Sequence, residues 1–431
     1  MIDVKSKARR EWRAGWPAVC AGLVGAGAAQ IHFASIGVFI KPMTQALGWG
    51  SSTVTLGILI CSIVAVPGIP LVGLLAQKVG LSRIILVGLP LFFLAFASLG
   101  LLSHNRTQWV IGWAFIALAS VLSKANLWML WVAQRFDAAR GMAFALIMVG
   151  AGVLAIFVPI MSQLSIESFG WRATFPLLAA AMAVLSIPAC LVGFRLCPPA
   201  AGESRKATGD ADLELPGMLI QDAIRMRSFW QISLIAFLIG AGLVSLQIHL
   251  VPMFEDKGLS ARTAAVAAGV FGGATLVGRF VAGGLLDRFS ANLIGMVNLL
   301  LPAVACILYL VIPLGSTSGM LVTVLLGLGV GAEGDVLGYI TAKYFGVRSF
   351  GTIFGAMTGL FALGAGVGPF GMSLLRDHLG SYSGIVLMLF CALVVCSVLF
   401  VTLGSYPSFS KREEITRDAP SEHEPATSVS T

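Results

Sequence analysis

Charged residues are scarce in this sequence. Of its 431 residues, 11% are Asp, Glu, Lys or Arg, whereas 57% are hydrophobic. This composition lies far outside the range of soluble globular domains, in which about a quarter of the residues are charged. So few charges cannot cover the surface of a water-soluble fold. The composition therefore indicates a protein embedded in a lipid bilayer.

Signatures of nucleotide binding and hydrolysis are also missing. The chain contains neither G-x-x-x-x-G-K-[ST] nor G-x-S-x-G, so we expect neither ATP-driven transport nor an enzyme. Its seven cysteines have no spacing typical of a disulfide framework or a metal site. We therefore expect no cofactor and no bound metal.

The sequence contains many long apolar runs. We predict twelve membrane spans, each long enough to cross a hydrocarbon core of about 30 Å. The N-terminal six are Trp16 to Ile40, Ser52 to Ala76, Ile84 to Leu102, Gln108 to Ala133, Gly141 to Leu164 and Ala173 to Phe194. The C-terminal six are Phe229 to Val251, Thr263 to Leu286, Leu293 to Ile312, Ser318 to Ala342, Thr352 to Leu375 and Tyr382 to Ser405. The predicted fold class is an all-α membrane protein.

One long polar segment divides the chain into two halves. We predict an N-terminal tail (1–15), a six-helix bundle (16–196), a linker (197–228), a second six-helix bundle (229–405) and a disordered tail (406–431). An offset of 210 residues superimposes Gly73 on Gly283 and Pro159 on Pro369. The halves are therefore two parallel repeats, which transporters use to build a mid-membrane site.

Lysine and arginine orient the predicted spans. With an even number of spans both termini lie on one side, to which we assign most of the 28 Lys and Arg residues. By the positive-inside rule this side is cytoplasmic. The predicted location is the plasma or inner membrane, and the net charge of +8 reflects topology, so we expect no nucleic-acid partner.

Two loop motifs resemble those of a known family. The segments from Gly73 to Gly80 and from Gly283 to Arg288 are similar to the G-x-x-x-D-R-x-G loop signature of the major facilitator superfamily. The resemblance implies two pseudo-symmetric six-helix bundles and alternating access. It also implies that Gly73, Gln77, Lys78, Gly80, Gly283, Asp287 and Arg288 form gating loops that lock the cytoplasmic side.

A finer resemblance concerns the substrate. Residues 37–43 are similar to the first helix of bacterial monocarboxylate transporter relatives, including the oxalate-formate antiporters. In that group an eighth-helix Arg four residues before a Gly binds the substrate carboxylate, and Arg279 with Gly283 matches. The chain has Thr275 and Ala34 where monocarboxylate transporters carry Asp and Lys.

Arg279 is the first candidate site residue on physical grounds as well. A charge at membrane depth needs a partner, a water-filled cavity or a ligand. The planar guanidinium matches two carboxylate oxygens at once. The structural alternative is an ion pair with a buried acid.

Four further candidates line the predicted cavity. Lys124 is either a second anionic subsite or a partner of Glu333. Trp128 lies one turn after Lys124 and either packs or contacts substrate. His32 and His249 have small or polar neighbours, and each either binds substrate or is a satisfied core histidine.

Glu333 and Asp335 are the candidate proton carriers. Burial and a nearby cation act in opposite directions on an intramembrane carboxylate, which gives it two protonation states that alternate with access. The structural alternative is a permanent salt bridge with Lys124 or Arg279. The two acids point about 200° apart on a regular helix, so one cavity sees both only if the nearby glycines unwind the backbone.

The predicted function is secondary active transport of a small organic anion, a monocarboxylate, coupled to protons. One alternative is a proton-driven exporter of an amphipathic compound, in which the tryptophans form the site and Arg279 is structural. Another is a non-transporting membrane receptor. The expected partners are the anion, protons and the lipid bilayer, and the oligomeric state stays open.

Overall fold

The computed structural model describes residues 4–198, 217–286, 288–346 and 348–407, without the side chains of Val4, Lys5 and Gln77. Regular structure in these ranges is helical, apart from one isolated β-bridge between Gly217 and Gly346. The first seven helices are α1 Val4–Ala28, α2 Ile31–Leu47, α3 Ser51–Val79, α4 Leu81–Ser98, α5 Arg106–Val121, α6 Ala125–Ala133 and α7 Arg140–Leu196. The others are α8 Ile220–Ile224, α9 Arg227–Asp256, α10 Ala261–Leu286, α11 Ala291–Val311, α12 Ser316–Gly331, α13 Glu333–Phe345, α14 Phe350–Leu379 and α15 Ser383–Val401.

Twelve spans cross the membrane, as predicted. Within the described ranges, eleven helical segments are long and apolar enough to do so. One of them, α7, has 57 residues, and a straight helix of that length would measure about 85 Å, far more than a ~30 Å core. Gly170 interrupts α7 with φ 78° and ψ 162°, so the chain turns there and α7 supplies two spans.

The offset of 210 residues recurs in the helix boundaries. Four helices of the N-terminal half begin 210 residues before their counterparts, at Ser51 and Ala261, Leu81 and Ala291, Arg106 and Ser316, and Arg140 and Phe350. Gly170 and Gly380 also correspond, and both have a left-handed backbone, with φ of 78° and 70°. Only glycine adopts this region without strain. The two halves therefore share one internal design.

Three spans are interrupted inside the bundle. The first breaks at Gln30 between α1 and α2, and the fourth breaks at residues 122–124 between α5 and α6. The tenth breaks at Ala332 between α12 and α13. Leu122 and Ala332, the first residues of the second and third breaks, are again 210 apart. Each break places helix ends within the span, where backbone N–H and C=O groups lack helical partners.

Small residues bring the helices close together. A Cβ on Gly150 of α7 would clash with the Leu23 carbonyl oxygen of α1, and a Cβ on Gly364 of α14 would clash with the Phe237 carbonyl oxygen of α9. Glycine at these crossings lets backbones touch, which is how membrane helices pack in the absence of a hydrophobic driving force. Close backbone packing therefore contributes to the core of each half.

We call the end of the bundle that carries Val4 and Pro407 the terminal face and the opposite end the far face. The two halves meet toward the far face, where Lys41 of α2 lies 3.6 Å from Glu255 of α9. At the terminal face, a Cβ on Gly73 or Gly283 would have no neighbour within 4 Å. The described conformation is therefore closed at the far face and open toward the terminal face.

Candidate functional site

Arg279 lies in α10, two turns before its end, with one third of its side chain exposed. Its Nε donates to the Gly331 carbonyl oxygen at 3.3 Å and lies 3.8 Å from Asp335 Oδ2. This is a long ion pair, and it uses only one of the five guanidinium N–H donors. Among the described residues, the terminal nitrogens of Arg279 have no partner. The side chain is therefore anchored at Nε and leaves a two-nitrogen fork for another acceptor.

The break at Ala332 brings Glu333 and Asp335 into the same site. A Cβ on Gly331 would clash with the backbone of α10, so α12 ends in direct contact with the helix that carries Arg279. Asp335 forms the ion pair with Arg279, and Glu333 also lies within range of its charge. Glu333 Oε2 is buried and has no hydrogen-bond partner among the described residues. The two acids thus differ, since one is paired and the other is unsatisfied.

Lys124 lies at the amino end of α6, where its extended backbone (φ −59°, ψ 151°) starts the helix again after the break. Its side chain is partly buried. The alternative in which Lys124 pairs with Glu333 does not occur in this conformation, because the described ion pairs include no acid bound to Lys124. Lys124 is therefore an intramembrane cation without a described counter-ion.

Trp128 supports the break and does not line the opening. Its ring is fully buried, its edge would meet a Cβ placed on Gly25 of α1, and it lies beside Phe194. Its indole Nε1 donates to the Ser123 carbonyl oxygen at 3.1 Å, a group that the break releases from helical pairing. In this conformation Trp128 packs, and its contact with substrate stays a prediction.

The two candidate histidines have different surroundings. His32 of α2 is 2% exposed, and its ring centroid lies 5.3 Å from that of Phe92. Its Nδ1 has no hydrogen-bond partner in the described part of the chain. His32 is therefore a buried polar group whose hydrogen-bonding capacity is not fully used, which favours a functional reading.

His249 of α9 is also buried, but both of its ring nitrogens are used. Nε2 lies 3.1 Å from the Pro369 carbonyl oxygen and Nδ1 lies 3.0 Å from the Tyr382 hydroxyl. Because a carbonyl only accepts, Nε2 donates to Pro369 and Nδ1 accepts from Tyr382. Ser373 Oγ lies 3.1 Å from Nε2. His249 can reach a substrate only if this network opens.

The predicted gating loops are open at the terminal face. Lys78 and Arg288 are exposed, and Gly80 ends α3 with φ 96°. Asp287 and the side chain of Gln77 lie outside the described part of the chain. No close helix approach occurs at Gly73 or Gly283 in this conformation.

Sequence reasoning missed the polar contacts between the halves, of which those of Asp377 are the most numerous. Asp377, near the end of α14, accepts hydrogen bonds from the backbone and the hydroxyl groups of Ser51 and Ser52 at the start of α3. The available signal was a helix beginning with two serines after Gly50, without an acid in its first turn. The acid comes from a residue 326 positions away, and sequence spacing does not reveal such a partner.

Comparison with solved structures supports the fold. The chain is similar to the crystal structure of a bacterial homolog to the human lysosomal transporter Spinster in its inward-facing and unoccupied conformation, with a TM-score of 0.66 and 16% identity over 94% of this chain and 98% of that one. The occupied inward-facing form gives 0.65 and 14%, over 93% and 96% of the two chains. None of the curated proteins matches the sequence significantly.

The sequence itself identifies the family to which the chain belongs. The model of the Major Facilitator Superfamily matches residues 22–369, from α1 to the eleventh span. This range covers most of both halves and contains every break described above. Together with the twelve spans, the repeated helix boundaries and the opening between the halves, it shows that the chain belongs to the major facilitator superfamily.

Proposed function

We propose that the chain is a secondary active transporter of a small organic anion of the monocarboxylate class, coupled to protons. The observation that carries this proposal is the Arg279 fork. It lies beside the Ala332 break, anchored through Nε but with its terminal nitrogens unpaired among the described residues. A guanidinium in this arrangement matches a carboxylate in geometry and charge.

The acids around Arg279 supply the proposed proton coupling. Asp335 already contacts Nε, whereas the Oε2 atom of Glu333 is buried without a hydrogen-bond partner among the described residues. A buried carboxylate without a partner is costly when ionised and less so when protonated. Glu333 therefore takes up a proton when the site is dry and releases it when water or a cation reaches it.

The halves contact each other at the far face and are open at the terminal face, and this arrangement supports alternating access. The positive-inside rule makes the terminal face cytoplasmic and the membrane the plasma or inner membrane. The described conformation then opens to the cytoplasm. In the opposite conformation the gating loops, including Asp287 and Arg288, come together and close the terminal face.

The exporter alternative finds less support. It requires the two tryptophans of α6, Trp128 and Trp131, to contact substrate. Their rings are fully buried within the N-terminal half. The receptor alternative gives no role to an opening between two repeated halves. An anion transporter accounts for both the buried tryptophans and the opening between the halves.

Uptake into proteoliposomes tests the proposal. Labelled acetate, lactate and pyruvate are offered with and without an inward proton gradient, to wild type and to Arg279→Ala. We expect uptake that the gradient stimulates and that the substitution abolishes. The anion proposal fails if wild type moves none of these carboxylates or if the variant transports as well as wild type.

A further inference from the structure

Two helix amino ends lie at nearly the same depth in the N-terminal half. The Trp128 side chain of α6 runs along α1 from Gly22 to Gly25. Since α1 and α6 run in opposite directions, the depth of Lys124 along the bundle differs from that of the break at Gln30 by about one helical turn, roughly 5 Å. Helix α2 starts at this level toward the far face, and α6 starts there toward the terminal face.

An amino end carries free N–H groups and a partial positive charge. The starts of α2 and α6 therefore direct positive potential into the same layer of the bundle. Neither helix has an acidic residue in its first turn. Half-helix amino ends in this arrangement bind anionic groups of substrates in transporters with interrupted helices.

Side chains at this level add further donors. Lys124 lies close enough to His32 and to Cys61 for its charge to act on both. The His32 Nδ1 and the Trp113 Nε1 are buried without hydrogen-bond partners among the described residues, and the two rings lie 6.3 Å apart. An indole N–H can only donate. A cation and an unused imidazole nitrogen thus lie near the two amino ends, and the indole N–H of Trp113 lies beside the imidazole.

The equivalent break in the C-terminal half has the opposite chemistry. There the first turn of α13 contains Glu333 and Asp335, so the protein supplies its own carboxylates to that amino end. The α6 end has Lys124 at its start and no acid. The interrupted span of the C-terminal half therefore has acidic side chains at the amino end of its second helix, whereas the equivalent helix end of the N-terminal half has none.

We infer that the carboxylate of the substrate binds at the amino ends of α6 and α2, held by Lys124 with His32 as a neutral hydrogen-bonding partner. This inference rests on the proposed function for the class of substrate. It adds an anion subsite in the N-terminal half to the Arg279 fork of the C-terminal half. The two halves then grip the anion from opposite sides.

Binding and stability together test this subsite. Purified wild type, Lys124→Met, Lys124→Arg and the surface control Arg106→Met are melted with and without sodium lactate, acetate or pyruvate, and uptake is measured for each. We expect Lys124→Met to weaken carboxylate binding at least about tenfold, whereas Lys124→Arg keeps the charge and most of the affinity. Arg106→Met should behave as wild type.

The melting temperature without ligand separates binding from folding. Removing an unpaired charge from membrane depth should leave it unchanged or raise it, whereas a structural lysine would lower it. The subsite is overturned if Lys124→Met lowers the ligand-free melting temperature, or if Lys124→Met retains wild-type affinity for the carboxylates. In the second case the anion transporter still stands. Absence of carboxylate uptake and stabilisation in wild type refutes both proposals.

Discussion

The hydroxyl group of Ser51 donates a hydrogen bond of 2.6 Å to Asp377, across the boundary between the two halves. The same carboxylate accepts from the Ser51 and Ser52 backbone N–H groups at 2.8 and 2.9 Å and from the Ser52 hydroxyl at 2.6 Å. Gly50, which precedes α3, has no side chain with which to cap it. Asp377 therefore caps a helix of the opposite half across the closed far face.

Replacement of Asp377 by Asn should favour opening of the far face. Hydrogen bonds to a charged group contribute about 1.5–3 kcal/mol each, so loss of the charge should shift the conformational equilibrium roughly tenfold to a hundredfold. Spin labels at Gln45→Cys and Arg262→Cys measure the separation of the halves at this face. Asp256→Asn is the matched control, because its partner Arg376 belongs to the same half. Equal distance distributions in Asp377→Asn and wild type would contradict the prediction.

Arg279→Lys should lose carboxylate uptake although it keeps the charge. Lysine cannot donate through a planar fork, and its ammonium group cannot use the Gly331 anchor in the same way. We expect uptake to fall at least about tenfold, equivalent to ~1.4 kcal/mol. Arg106→Lys serves as the control for the chemical change. Full activity of Arg279→Lys would favour the exporter alternative, in which the residue is structural.

Glu333→Gln should separate exchange from proton coupling. Glutamine resembles the protonated carboxyl group in shape and cannot ionise, so the variant should still exchange labelled for unlabelled lactate across the membrane. An inward proton gradient should no longer stimulate net uptake. Glu167→Gln, near the far end of the fifth span, is the control. Gradient-driven accumulation by Glu333→Gln would remove Glu333 from the coupling step.

Tyr382→Phe tests the role of His249. Loss of the hydroxyl leaves the buried His249 Nδ1 without its donor, which should cost about 1–3 kcal/mol and lower the melting temperature. Affinity for carboxylates should stay unchanged, because this network faces the closed far end. A fall in affinity at constant melting temperature would instead place His249 in the substrate site.

The number of spans and the repeat could be predicted because both depend on local chemistry. Apolar length determines each crossing, and the offset of 210 survives in the helix starts, with Ser51 and Ala261 close to the predicted Ser52 and Thr263. The breaks were harder to predict. A turn at residues 122–124 leaves the hydropathy of its span unchanged, so the sequence indicated only an unexplained Lys124.

The contacts within the site depended on packing that the sequence does not specify. Glycines in 331–335 suggested that the backbone could unwind there, but not that Asp335 would pair with Arg279 while Glu333 Oε2 stayed unpaired among the described residues. The Asp377 cap was missed for a similar reason. Asp377 belongs to the C-terminal half and its serine partners belong to the N-terminal half, and only the assembled far face brings them together.

Each end of the described part of the chain is attached to its own half. Lys7 of α1 lies 2.6 Å from Asp137, in the connection before the fifth span. Near the other end, the Tyr406 hydroxyl oxygen accepts a hydrogen bond of 3.1 Å from the Ala291 backbone at the start of α11. Lys7 and Tyr406 are therefore held on different halves of the protein. A donor and an acceptor dye at these positions would report each transport stroke as a change in energy transfer, without a label inside the membrane.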